Sequence, residues 1–128
     1  MAVSAGYKAF IEDILTPLGP VRIRSMFGGA GVYADLADGP VMFALIADET
    51  LYLKVDDGNR AAFEEAGMQP FTYEGKDGKR GVMSYYRCPD DLLEEPGALK
   101  QWAMDALDAA LRSGIRKKKV RKKTKPDG

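Results

Sequence analysis

Seven consecutive apolar residues, Val41-Met42-Phe43-Ala44-Leu45-Ile46-Ala47, constrain this chain more than any other feature. Asp38-Gly39-Pro40 marks a turn before the run, and Asp48-Glu49 reverses the chain after it. A run this short between turn signals reads as a central strand. The next segment alternates, with Leu51, Leu53 and Val55 on one side and Thr50, Tyr52 and Lys54 on the other. That is the period of a half-buried strand. The chain is therefore built around a sheet.

Helical periods surround the sheet. Tyr7, Phe10, Ile11, Ile14, Leu15 and Leu18 recur at i, i+3, i+4 and i+7, with Ser4 placed to cap the first turn. Pro17 and Gly19-Pro20 stop that helix. Val21 to Ala34 reads as a strand whose glycines mark a bulge or the close approach of another element. A short helix from about Asn59 to Ala66 is capped by Asp56 or Asp57 and ended by Gly67. Phe71–Glu74 and Val82–Arg87 make two more strands, joined through Gly75-Lys76-Asp77-Gly78. Leu99, Trp102, Ala103, Ala106, Leu107, Ala110 and Leu111 recur at helical spacing until Gly114 stops the last helix. The expected architecture is α+β, a two-layer sandwich of order α-β3-α-β2-α. Its five-stranded sheet is largely antiparallel, with the helices on one face.

The 128 residues suit one domain. The chain has no histidine and a single cysteine, Cys88. This removes His-dependent catalysis, His-ligated metal, intrachain disulfides and cysteine-cluster metal sites. No apolar run reaches membrane-spanning length, and no signal-peptide pattern opens the chain. The expectation is a cytoplasmic protein without catalytic, cofactor or metal residues. Cys88 has no histidine to activate it and reads as a small buried hydrophobe. The acidic pairs Asp48-Glu49, Asp56-Asp57, Asp90-Asp91 and Glu94-Glu95 fall at turns and helix starts, where carboxylates are locally favourable. Gly29-Ala30-Gly31-Val32-Tyr33-Ala34 matches a dinucleotide fingerprint in letters only, because strand follows where a helix is needed. A base-stacking platform from Tyr52, Tyr73, Tyr85, Tyr86 and Trp102 needs Lys and Arg on the same face; packing in the core and the hairpin is the simpler expectation.

Net charge is zero but unevenly spread. Residues 1–112 hold eleven Lys and Arg against eighteen Asp and Glu, whereas residues 113–128 hold eight against one. The expected division is an acidic domain, 1–112, and a basic, disordered segment, 113–128. Arg116, Lys117, Lys118, Lys119, Arg121, Lys122, Lys123 and Lys125 are its candidate nucleic-acid contacts, sequence-independent by nature.

Arg24-Ser25-Met26-Phe27-Gly28-Gly29-Ala30-Gly31-Val32-Tyr33 resembles the N-terminal domain of the TfoX/Sxy family, bacterial proteins named for regulating competence for DNA uptake. The likeness continues through Leu51-Tyr52-Leu53-Lys54-Val55-Asp56, Gly67-Met68-Gln69-Pro70-Phe71 and Met83-Ser84-Tyr85-Tyr86, covering about residues 4–112. Arg24, Met26, Phe27, Gly28, Gly29 and Gly31 are the motif residues. The resemblance implies the same element order and no catalytic residues. It also implies, for full-length regulators, a second helical domain where this chain carries its basic segment. The expected function is a non-enzymatic binding module acting in competence-related transcription regulation. Its expected partner is a protein of the transcription machinery or a transcription factor. Nonspecific nucleic-acid binding through the basic segment and a small enzyme of unstated reaction are the alternatives. A monomer or a homodimer fits, since an edge strand can pair with a second copy.

Overall fold

The structure, a computed structural model, describes residues 4–26, 29–74 and 80–124; side chains at 26, 73–74, 80–83 and 115–124 fall outside the description. The strands are β1 (Val21–Met26), β2 (Gly29–Leu36), β3 (Gly39–Ala47), β4 (Thr50–Lys54), β5 (Pro70–Glu74) and β6 (Arg80–Arg87). The helices are α1 (Ala5–Ile14), α2 (Arg60–Glu65) and α3 (Pro96–Thr124), with 3-10 turns at Thr16–Leu18 and Asp90–Glu94. One antiparallel sheet runs in the order β1-β2-β3-β4-β6-β5. The α+β class and the antiparallel sheet are as expected, but the sheet has six strands, not five. Val21–Ala34 is two strands: Met26 pairs with Gly29, so the chain reverses between them. The glycines mark a hairpin as well as a close approach. A Cβ on Gly29 would strike the backbone carbonyl oxygen of Ile46 on β3.

Alternation sorts the strand residues. Ala30, Val32, Ala44, Ile46, Leu51, Leu53 and Val55 face the helices and pack with Ile11 and Leu15 of α1, Phe63 of α2, and Leu99, Ala103, Ala106 and Ala110 of α3. The alanines recur at helical spacing and let α3 lie close over β3 and β4. A register shift in β3 explains the apolar run. Val32 pairs with Ala44 but Tyr33 pairs with Met42, leaving Phe43 as an extra residue. The bulge brings Phe43 into the helix-side core beside Ala44, so two successive residues are buried together. Phe63 meets Trp102 edge-on at 4.8 Å and Tyr86 at 5.8 Å, locking α2 to the sheet and to α3.

Ser4 caps α1 as expected, its Oγ accepting from the Tyr7 N–H at 3.1 Å. Phe10, expected on the buried face, is 42% exposed because Ile11 and Leu15 occupy the contact with the sheet. Neither Asp56 nor Asp57 caps α2 through its side chain. Asp56 Oδ1 instead accepts from the Gly58 N–H, while Asn59 holds the loop from within. Asn59 Oδ1 accepts from the Asp56 N–H at 2.8 Å, and its Nδ2 donates to the Lys54 carbonyl at 3.0 Å. Arg112 then clasps Asp56 with two bonds of 2.6 and 2.7 Å, tying α3 to this loop.

Gly67 ends α2 at φ 76°, as expected, but Gly114 does not end α3. A glycine stops a helix by adopting positive φ at its end, and Gly114 does not. In mid-helix it costs about 1 kcal/mol relative to alanine, too little to offset the helix-forming lysines and arginines that follow. The backbone stays helical to Thr124, and Lys125 lies outside the described residues. No helix among the described residues is long and apolar enough to cross a membrane.

The β3–β4 connection is a two-residue turn with both central residues at positive φ, Asp48 at 51° and Glu49 at 57°. That geometry favours Asn-Gly. Replacing the pair (Asp48→Asn with Glu49→Gly) is expected to raise stability by about 1 kcal/mol, read from the urea midpoint. The gain is reduced by losing the bond from the Ser4 N–H to Glu49 Oε1 at 2.8 Å.

Candidate recognition surface

The helices cover one face of the sheet. The opposite face is set by the same alternation. Across five strands, Arg24 stands opposite Gly31, Gly31 opposite Leu45, Leu45 opposite Tyr52, and Tyr52 opposite Arg87. At about 4.8 Å per strand, that row is roughly 19 Å long. A second row sets Arg22 opposite Tyr33, and Lys54 opposite Tyr85. Lys54 Nζ sits 5.1 Å above the Tyr85 ring, and Phe71 of β5 meets Tyr52 edge-on at 5.0 Å. Arg22, Arg24 and Arg87 are exposed; Tyr33, Tyr52, Lys54 and Phe71 are half-buried; Leu45 and Tyr85 are buried.

Charge is partitioned by element. The six strands carry Arg22, Arg24, Lys54, Arg80 and Arg87 against Asp35 and Glu74. Of the eleven basic and eighteen acidic residues in 1–112, that leaves six and sixteen for helices, turns and loops. The sheet is basic inside an otherwise acidic domain. Arg22 has a carboxylate neighbour in Asp35 and Arg87 one in Asp90, both at 3.3 Å. Both pairs are at the surface, where such bridges contribute about 0–1 kcal/mol and yield readily to another anion. Arg24 has no ion pair among the described residues.

The structure divides the aromatic residues read from the sequence. Tyr86 and Trp102 pack around Phe63 on the helix side, as core residues do. Tyr52 and Tyr85 stand on the open face with Lys54 and Arg87 interleaved, and the Tyr73 side chain lies outside the described residues. Tyr52 is half-buried and packs edge-on against Phe71 of β5 while standing on the open face. Tyr33, Phe71 and Arg22 join the face without having been singled out. The parity of Thr50, Tyr52 and Lys54 carried the signal; the pairing register between strands supplied the rest. Among the motif residues, Arg24 lies on this face, Gly31 is buried beside it, and Gly29 makes the close approach to β3. Met26 is placed by its backbone in β1, and Phe27 and Gly28 lie outside the described residues.

Cys88 is on the other side, packed in the core with its Sγ 3.6 Å from the Pro89 carbonyl. Burial, with Asp90 nearby, pushes its thiol up to about 12. Burial and neighbouring Tyr33 push the Tyr85 phenol up to about 12 as well. Both folded values lie above the unfolded ones, so the stabilisation is complete below the unfolded values and is lost as pH rises toward 12. The urea midpoint is expected to stay level to about pH 8.5 and then fall steadily up to pH 12. Alkylation of Cys88 at pH 8 is expected only at the rate of unfolding.

Residues 13–110 match the TfoX N-terminal domain family. DNA transformation protein TfoX1 of Aliivibrio fischeri (strain ATCC 700601 / ES114) is 28% identical over 96 residues. The aligned stretch is 75% of this chain and 44% of that protein, so the chain spans less than half the length of the curated relative it matches. With most of the helical and sheet framework inside the matched region, the chain belongs to the TfoX N-terminal domain family.

Proposed function

We propose that this chain is a non-enzymatic, cytoplasmic regulatory module, acting in the control of DNA transformation that its Aliivibrio relative is named for. It works by holding a component of the transcription apparatus on the open face of its sheet. The observation that carries this reading is the partition of charge: a basic, aromatic face on an acidic domain. Arginine and tyrosine are the residue types that anchor recognition surfaces. Groups suited to bond chemistry are dispersed by contrast. Cys88 is buried and held in its protonated form, and the acidic pairs occupy three separate connections: the β3–β4 turn, the β4–α2 loop and the 3-10 segment before α3.

A protein of the transcription machinery is one partner that such a face fits. The basic segment adds a second contact: seven of its eight cations continue the backbone of α3, and such charges attract nucleic acid without reading sequence. Transcript profiling of a deletion strain complemented with variants tests the proposal. Arg24→Glu and Tyr52→Ala are expected to abolish regulation at normal protein levels, whereas Cys88→Ala keeps it. Silent face variants, with regulation lost on Cys88→Ala at normal protein level, would overturn it.

A further inference from the structure

The open face has the composition that single nucleic-acid strands require. Such strands bind where aromatic rings accept bases and interleaved cations follow the phosphates. Here the half-buried rings of Tyr33, Tyr52 and Phe71 alternate with Arg24, Lys54 and Arg87, all on one side of the sheet. Tyr52 lies between the cations: Arg87 is directly opposite it on β6, Lys54 is two residues along its own strand, and Arg24 ends the same row on β1. Non-aromatic apolar side chains are a minority on the face: Leu45 is only 7% exposed and Met42, opposite Tyr33, is half-buried, so rings and cations supply most of what a partner meets. A duplex keeps its bases stacked inside and shows only their edges in the grooves, so it offers the rings no base face to stack on.

We propose that the open sheet face binds single-stranded nucleic acid, with bases resting on Tyr33, Tyr52 and Phe71 and phosphates held by Arg24, Lys54 and Arg87. The proposal rests on the open face being the recognition surface and names what that surface takes. Every ring can stack on every base, so binding is tolerant of sequence. The three cations add a salt slope of about −2 on a log–log plot, at roughly 0.7 per phosphate neutralised on a single strand. Any contribution from the basic segment adds to that slope.

The test uses the full chain and a fluorescein-labelled twelve-nucleotide oligo-dT, with oligo-rU and a matching duplex alongside. In an amide-resolved NMR titration, shifts are expected along β1, β4 and β6 on the open face. By anisotropy, Tyr52→Ala is expected to weaken binding about 10-fold, the scale of one lost stack, with Tyr52→Phe retaining it. Duplex binding should not change with Tyr52→Ala. Shifts confined to residues 113–128, or equal affinity of Tyr52→Ala and the unmodified chain, would overturn the proposal. The same variants in the complementation assay separate the two readings. If Tyr52→Ala abolishes regulation while oligonucleotide binding is untouched, the face takes a protein and this inference fails alone. If Tyr52→Ala and Arg24→Glu change neither regulation nor binding, both readings fail.

Discussion

Gly29→Ala is expected to cost about 3 kcal/mol and to lower the melting temperature by about 10 °C. The added Cβ would run into the carbonyl oxygen of Ile46, a backbone atom in the central strand, with the Ala47 Cα close behind. A side chain could turn aside; this carbonyl can move only by displacing β3 from its register with β2. The comparison Gly114→Ala isolates the cause. Gly114 sits in helical backbone with nothing within 4 Å of its Cβ direction, so the same substitution there should raise stability, by up to about 1 kcal/mol. Chemical denaturation of the two variants side by side checks both signs. A Gly29→Ala variant as stable as Gly114→Ala would mean that the strand yields to the added methyl and that the Ile46 collision does not govern position 29.

Phe63→Ala has the larger expected effect, about 4 kcal/mol, a large share of what a domain of this size has in total. Phe63 is 1% exposed and is the one buried residue of six-residue α2. Its ring contacts Trp102 on α3 and Tyr86 on β6, so truncation opens a cavity where three elements meet. A helix so short has no stability of its own and holds its shape through that contact. Phe63→Leu keeps most of the volume and should cost about 1–2 kcal/mol. Trp102 fluorescence during urea unfolding reports the site directly, because the indole loses its edge-on neighbour in Phe63→Ala before unfolding begins.

Much of this fold is legible in the residues, and the failures have identifiable physical sources. The Thr50–Lys54 alternation assigns Tyr52 and Lys54 to one face without any structure. What it does not supply is the neighbour across the ladder, because register depends on turns elsewhere. The apolar run Val41–Ala47 reads as a strand buried on both sides, yet part of its continuity comes from the Phe43 bulge, which turns two successive residues to one side. A bulge leaves no period of its own in a run that is apolar throughout. The Met26–Gly29 reversal is hidden for a related reason: glycines serve bulges, tight turns and close approaches alike, and here the same segment supplies two of these. The part played by Asn59 lies in its hydrogen bonds to the Asp56 N–H and the Lys54 carbonyl, which neither helical nor strand periodicity encodes. The recognition face was obscured by whole-chain charge. The acidic balance of residues 1–112 argues against an anionic ligand until the charges are sorted by element, when the strands prove basic.

Site-specific photocrosslinking in living cells tests the recognition surface most directly. Tyr52 is replaced by p-benzoylphenylalanine in one strain, and Glu64, on exposed α2, in another. Irradiation should trap a covalent adduct from position 52 and none from position 64, and loss of the added mass on nuclease treatment would identify it as nucleic acid. Adducts from position 64 with none from position 52 would show that the helical side, and not the open sheet, meets the partner.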